Sequence, residues 1–231
     1  MVGYVRRKIV RISLMCKPFF IGNSVPLGSD IVGETHMTQI LFASHNGGKV
    51  KEIAHLLKLE DVELLTMADV HLHDFNVDET GETYEENATL KAKTLGDKTR
   101  HITLADDSGI EVEALGNKPG IYSARYSKGS DTDRCVKMLK ELEDKQNRNA
   151  KFVAVIVYYD PTAKQKHVFR GEVKGVIATQ IMGEHGFGYD PIFIPEGYQQ
   201  TMAELGNDVK NEISHRARAV AAFKEWWLTH V

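Results

Sequence analysis

Two adjacent carboxylates, Asp106 and Asp107, follow the apolar run Ile102–Thr103–Leu104–Ala105 and precede Ser108–Gly109. The order reads as a strand that ends in a turn with two acids at its carboxyl end, where α/β folds commonly bind ligands. Like charges this close repel each other and raise one pKa unless a cation neutralises them. Mg²⁺ suits them, because it takes carboxylate oxygens together with substrate phosphates and can orient or deprotonate a water. An Asx-type turn closing the strand would use the same residues. Upstream, the stretch between Leu59 and Leu90 holds ten acids and no lysine or arginine. Such a run is either a solvated face or a cation site. Glu79, in the turn Asp78–Glu79–Thr80–Gly81, is free to aim its carboxylate, whereas Glu86 is claimed by the capping box Thr83-x-x-Glu86.

Three other segments suit the rest of a nucleotide. Ser44–His45–Asn46–Gly47–Gly48–Lys49 lies between a strand and a helix, where backbone N–H groups freed by glycines cradle anions and Lys49 adds a point charge. It is not a P-loop, since valine follows the lysine and the glycine spacing differs; a plain glycine turn is the other reading. Gly186–Phe187–Gly188–Tyr189–Asp190–Pro191 interleaves aromatics with glycine, as a base-stacking loop or a buried aromatic turn would. Lys210–Asn211–Glu212–Ile213–Ser214–His215–Arg216 opens the final helix, where cations oppose the dipole and need a compensating acceptor. His215 and Arg216, assisted by Lys210, can donate to a 6-oxo purine. An adenine would set its amino donor against theirs. The alternative is a basic surface cluster.

The elements that must position these groups alternate. Gln39–Ile40–Leu41–Phe42–Ala43 has buried-strand character, and Val50, Ile53, Ala54 and Leu57 recur at helical spacing. Val62–Leu65 forms a second strand. The capping box opens a helix through Tyr84, Ala88, Ala92 and Leu95, and Asp131–Leu142 is helical with Val136, Leu139 and Leu142 on one face. Phe152–Tyr159 pairs with His167–Ile177 around Asp160–Pro161–Thr162–Ala163. Val220, Phe223 and Trp227 form an apolar stripe on the last helix. The pattern implies an α/β fold with a mixed sheet in one domain over 37–231.

The chain has 231 residues, 42% hydrophobic and 26% charged, with a net charge of −3, so nucleic-acid binding through bulk positive field is not expected. Two cysteines, Cys16 and Cys135, make neither a disulfide framework nor a thiolate metal cage. Residues 1–36 differ: Met1 to Ser29 holds no acid but carries Arg6, Arg7, Lys8, Arg11 and Lys17. The cations interrupt any secretory or membrane-spanning stretch. A transit segment fits this composition, as does an extension that takes no part in the fold, since Met37 directly precedes the first strand.

In this order, the segments resemble the inosine-triphosphate pyrophosphatase family. The resemblance rests on Ser44–Lys49, Glu79–Thr80–Gly81, Glu85–Glu86–Asn87–Ala88, Ala105–Asp106–Asp107–Ser108–Gly109, Pro119–Tyr126, Phe187–Phe193 and Ile213–Arg216. It implies an elongated α/β fold with a central mixed sheet flanked by helices and the site in a cleft between two lobes. It implies hydrolysis of ITP, dITP and XTP to monophosphate and pyrophosphate, with Mg²⁺ (Mn²⁺ substituting), by a cytoplasmic homodimer without nucleic-acid or membrane partners. Carried over by position, Asp107 is the general base, and Glu79, Asp106 and Asp107 are metal ligands. Ser44, His45, Asn46, Gly47, Gly48 and Lys49 hold the triphosphate, with Lys49 stabilising developing charge, and Ser108 is a further contact. Phe187, Gly188, Tyr189, Asp190, Lys210, His215 and Arg216 recognise the base. One departure is His45, where the family pattern often has glycine. A pyrophosphatase for other modified nucleotides, and a nucleotide-binding protein without turnover, are the alternative readings.

Overall fold

The computed structural model describes residues 37–231. The segment 1–36, read above as an extension, and Cys16 with it, lie outside the described residues. Strands β1 (Thr38–Phe42), β2 (Val62–Leu65), β3 (Ile102–Val112), β4 (Lys118–Pro119), β5 (Asn149–Asp160), β6 (Gln165–Ile177) and β7 (Phe193–Pro195) form one sheet in the order β2-β1-β3-β5-β6-β7, with β4 beside β3. β1 pairs parallel with β2 and β3, and the other pairings are antiparallel, so the sheet is mixed as expected.

Two helices carry the parallel crossovers, α1 (Gly47–Leu56) from β1 to β2 and α2 (Tyr84–Thr99) from β2 to β3. The capping box at Thr83 and Glu86 forms as the sequence predicts: Thr83 accepts from the Glu86 N–H, and Glu86 accepts from the Thr83 N–H. Helix α5 (His215–His230) packs with α1 on one sheet face, burying Ala219, Val220, Phe223 and Trp227 against Ile40, Leu104, Ile156 and Tyr158. On the opposite face α2 buries Tyr84, Ala88, Ala92 and Leu95 against Leu41, Ala105, Val155 and Val157. A third cluster joins α3 (Asp131–Glu141) to the ends of β3, β5 and β6.

Three expectations change. Helix α3 buries Cys135 and Met138, and Leu142 at its end is buried as expected, whereas Val136 is exposed and Leu139 is only partly buried. Strand β3 does not stop at Ala105 but runs through Asp106–Gly109 to Val112, because β5 pairs with it along its whole length. The strand that ends there is β1, whose last partner on β3 is Leu104. The segment before the last helix is itself helical: α4 (Met202–Ile213) ends at Ser214, which caps the start of α5 through the Ala217 N–H.

The contact between α5 and β6 has no room to give. A Cβ on Gly171 would overlap the His215 carbonyl oxygen and lie 2.6 Å from the Ala219 nitrogen. Gly171→Ala should therefore lower unfolding free energy by about 1–3 kcal/mol in denaturant titration, the usual range for overpacking. An unchanged midpoint and slope would show that α5 can lift off β6 freely.

Candidate active site

The turn after β1 is built by Asn46. Its Oδ1 accepts the N–H groups of Gly48 (3.0 Å) and Lys49 (3.1 Å), capping α1, while Ser44 Oγ accepts from the Asn46 N–H. Two donors expected to face a phosphate are thus already bonded within the turn. What remains for an anion is the positive end of α1 and the Lys49 ammonium. Gly48 serves packing: a Cβ there would stand 2.5 Å from the Phe187 ring.

Alternation along β3 sends the two adjacent acids to opposite faces of the sheet. Asp106, facing α1 and α5, is 1% exposed; its Oδ1 lies 2.5 Å from Lys49 Nζ and its Oδ2 accepts from Arg216 Nε at 3.0 Å. Burial alone would raise its pKa, but Arg216 and Lys49 outweigh it and hold the carboxyl below the usual range. Asp107 faces α2. Lys91 Nζ stands 3.5 Å from Asp107 Oδ1 and 2.7 Å from Glu79 Oε1, and donates to the Asp106 carbonyl at 2.7 Å. Asp107 Oδ2 is buried and has no hydrogen-bond partner among the described residues. Burial pushes the Asp107 carboxyl up, against the pull of Lys91 and Lys49. Glu79 is held down instead, because Lys91 and Arg125 overcome its partial burial.

The residues expected to recognise a base come together around Phe187. Lys210 Nζ sits 4.3 Å and the Arg216 guanidinium 5.7 Å from that ring's centre. Asp190 accepts from the Phe187 N–H and from Lys210, and Glu52 bridges Lys210 (2.6 Å) to Arg216. Arg216 also donates to Ser108 Oγ at 2.9 Å. Gly188 donates to Asp131 Oδ2 at 2.6 Å, and Tyr189 donates to the Ser123 carbonyl. His215 stacks on Phe152 with ring centres 4.7 Å apart. Burial, then Arg216, holds the imidazole well below its ordinary pKa of 6.5, which favours the neutral ring, and its Nδ1 has no hydrogen-bond partner among the described residues.

A cavity of about 420 Å³ joins these groups. Ser44, His45, Asn46, Lys49, Glu79, Asp107 and Ser108 line one part, and Phe187, Gly188, Tyr189, Asp190, Lys210, His215 and Arg216 another. Of the predicted site residues, Asp106, Gly47 and Gly48 do not line it. Asp106 was expected as a metal ligand; both its oxygens are engaged by Lys49, Arg216 and Ser108. Sequence reasoning passed over Lys91, Glu52, Asp131 and Arg125. The signal for Lys91 was present, since it lies three residues after Ala88 and seven after Tyr84, on the buried stripe of α2. Glu52 and Asp131 carried no such signal, because their partners are remote in sequence.

The Ham1 family's model matches residues 40–226. The chain belongs to the Ham1 family. Among its relatives are the dITP/XTP pyrophosphatases of Staphylococcus epidermidis, 44% identical over 82% of this chain and 96% of that protein, and Bdellovibrio bacteriovorus, 45% identical over 81% and 96%. The structure of the Staphylococcus aureus Ham1 protein superposes with a TM-score of 0.76 at 39% identity, covering 84% of this chain and all of that one. The mixed sheet flanked by helices is thus the Ham1 fold.

Ham1-type nucleotide pyrophosphatases generally depend on a divalent metal, and the residues fit one. No group of three or more His, Cys, Asp or Glu side chains stands ready to hold an ion among the described residues, so there is no all-protein cage. The orphaned Asp107 oxygen and the nearby Glu79 carboxylate instead match a cation bound by one or two carboxylates and completed by substrate phosphates.

The neutral state of His215 has a consequence for stability. Its folded pKa is lowered, so below about pH 6.5 the unfolded chain takes a proton that the folded one refuses. Its contribution is therefore complete at neutral pH and is lost as pH falls. In thermal unfolding between about pH 7.5 and 5.5, His215→Gln should show a shallower loss of melting temperature than the wild type. Equal slopes would mean that the buried imidazole accepts its proton in place.

Proposed function

We propose that this Ham1 protein hydrolyses non-standard purine nucleoside triphosphates (ITP, dITP and XTP) to the monophosphate and pyrophosphate. It would thereby remove deaminated purines from the nucleotide pool. The observation that carries the reading is the Asp107 carboxylate, buried with one oxygen unpartnered, set beside Lys91 and Glu79 in a cavity that also holds the Phe187 ring beneath two cations. The names of the relatives point the same way. A protein that only binds nucleotide has no use for such an oxygen.

In this reading the base stacks on Phe187, and the unpartnered Nδ1 of His215, in its N–H tautomer, donates to the 6-oxo group. Arg216, held by Asp106, Glu52 and Ser108, keeps one Nη1 proton for the same acceptor. Asp190 and Lys210 fix the ring, while Gly188 and Tyr189 set the loop. A 6-amino purine leaves these donors facing a donor, which costs affinity strongly. At the other end the turn Ser44–Lys49, with Lys49 and Lys91, neutralises the triphosphate. Asp107 accepts the proton of a water that attacks the α phosphorus in line; the bond from that phosphorus to the bridging oxygen breaks, and pyrophosphate leaves. Mg²⁺, with Mn²⁺ as a substitute, would be held by Glu79 and Asp107 and would supply Lewis-acid neutralisation of the phosphate oxygens. The working unit in this reading is a cytoplasmic homodimer, an expectation that rests on the family resemblance.

Product analysis with ITP, XTP, GTP and ATP should give pyrophosphate from ITP and XTP and little from ATP; orthophosphate would mean γ-phosphate cleavage and sink the proposal. Asp107→Asn keeps the shape and removes the base. Its kcat should fall by about 10²–10⁴-fold with the melting temperature preserved. Turnover near that of the wild type would take the base role away from Asp107.

A further inference from the structure

Glu79 reaches the site on a strap whose backbone has few ties: Phe75 and Val77 pack against the cluster under α2, and the Glu79 carboxylate pairs with Lys91 and Arg125. Between β2 and α2 the chain makes only local turns: His71 N–H donates to the Ala68 carbonyl, Leu72 N–H to that of Met67 and Phe75 N–H to that of Leu72. From residue 76 to residue 80 no backbone group hydrogen-bonds to another element among the described residues, although Asn76, Val77 and Glu79 line the cavity. The strap's backbone is fastened at its two ends by side chains. Downstream, the Gly81 N–H donates to Asn87 Oδ1 at 2.8 Å, where Asn87 is fully buried in the first turn of α2. Upstream, His45 Nε2 lies 2.7 Å from the Phe75 carbonyl oxygen, and Lys98 Nζ stands 4.9 Å over the Phe75 ring.

The upstream tie joins two parts of the phosphate site. His45 stands in the turn that carries Lys49, and Phe75 opens the strap that carries Glu79, 30 residues away. A carbonyl can only accept, so His45 donates, and both the imidazolium and the Nε2–H tautomer serve. Glycine, frequent at this position in the family pattern, has no side chain to make the bond. The tie therefore depends on the imidazole that this chain carries at position 45.

We propose that His45 is a positioning residue, fastening the Glu79 strap to the phosphate turn before nucleotide arrives. The proposal rests on the reading of Glu79 and Lys49 as the phosphate end of the site. Without the tie the strap spends part of its time away from the cavity, and apparent affinity falls by the fraction lost. The effect belongs to binding, since His45 touches none of the groups assigned to proton transfer.

The test compares the wild type, His45→Ala and His45→Gln, whose amide N–H can still donate. Hydrogen exchange of the nucleotide-free proteins should show amides 74–81 exchanging about three- to tenfold faster in His45→Ala, and nearer the wild-type rate in His45→Gln. KM for ITP with Mg²⁺, and Kd for ITP by calorimetry, should rise by a similar factor in His45→Ala, with the loss falling in KM rather than kcat. Unchanged exchange overturns the proposal. A weaker affinity with unchanged exchange overturns it too, because His45 would then be touching nucleotide directly, and so does faster exchange with unchanged affinity. If the wild type gives no pyrophosphate from ITP, the proposed function fails, while the exchange comparison still decides whether His45 holds the strap.

Discussion

The buried pairing of Asp106 with Arg216 and Lys49 is the interaction on which the site depends. A carboxylate with no exposed surface is tolerable only where opposite charge and hydrogen bonds replace its water. Asp106 obtains these from two elements at once, Lys49 at the start of α1 and Arg216 at the start of α5. The pair therefore fixes where both helices begin relative to β3. Replacing such a pair by packed apolar residues often leaves stability unchanged or raises it. Its value here lies in geometry: α1 brings the turn Ser44–Lys49 to the cavity, and α5 brings His215 and Arg216.

From that anchor the charges propagate outward. Arg216 reaches Glu52, Glu52 reaches Lys210, and Lys210 reaches Asp190, which in turn accepts the Phe187 N–H. Each member satisfies the next, so no lone buried charge is left along the chain. The opposite sheet face is less complete. There Asp107 keeps an oxygen without a partner among the described residues, beside Lys91, which suits the proton-accepting role proposed for it. The sheet thus separates a saturated, rigid layer from an unsaturated one.

Much of this was legible in the residues. The capping box at Thr83 and Glu86, the hairpin of β5 and β6, and the stripe Val220, Phe223 and Trp227 are short-range patterns set by local periodicity, and the structure carries them. The segments read as site motifs meet in one cavity. The faces were not legible. Taking Asp106–Gly109 as a turn hid the alternation that parts the two acids, because strand continuation was decided by β5, some fifty residues downstream. The α3 stripe was misplaced because Cys135 and Met138 take the buried positions that Val136 and Leu139 were expected to fill. Lys91 was passed over, although its spacing put it on the buried face of α2.

The break at Ser214 shows how backbone and charge solve one problem together. A single helix through 210–216 would place Lys210, His215 and Arg216 within two successive turns, with no reason for them to converge. Ending α4 at Ile213 puts Lys210 in its last turn, where the negative end of the helix favours a cation. Restarting at His215 puts Arg216 in a first turn, where the dipole disfavours it. Asp106 and Glu52 supply the compensating anions, and Ser214 closes the first turn through the Ala217 N–H. The unfavourable half of this arrangement is what keeps Arg216 committed to β3. A guanidinium at a helix N-terminus, with no water to retreat to, stays where its carboxylates are, and so holds its remaining donor in the cavity.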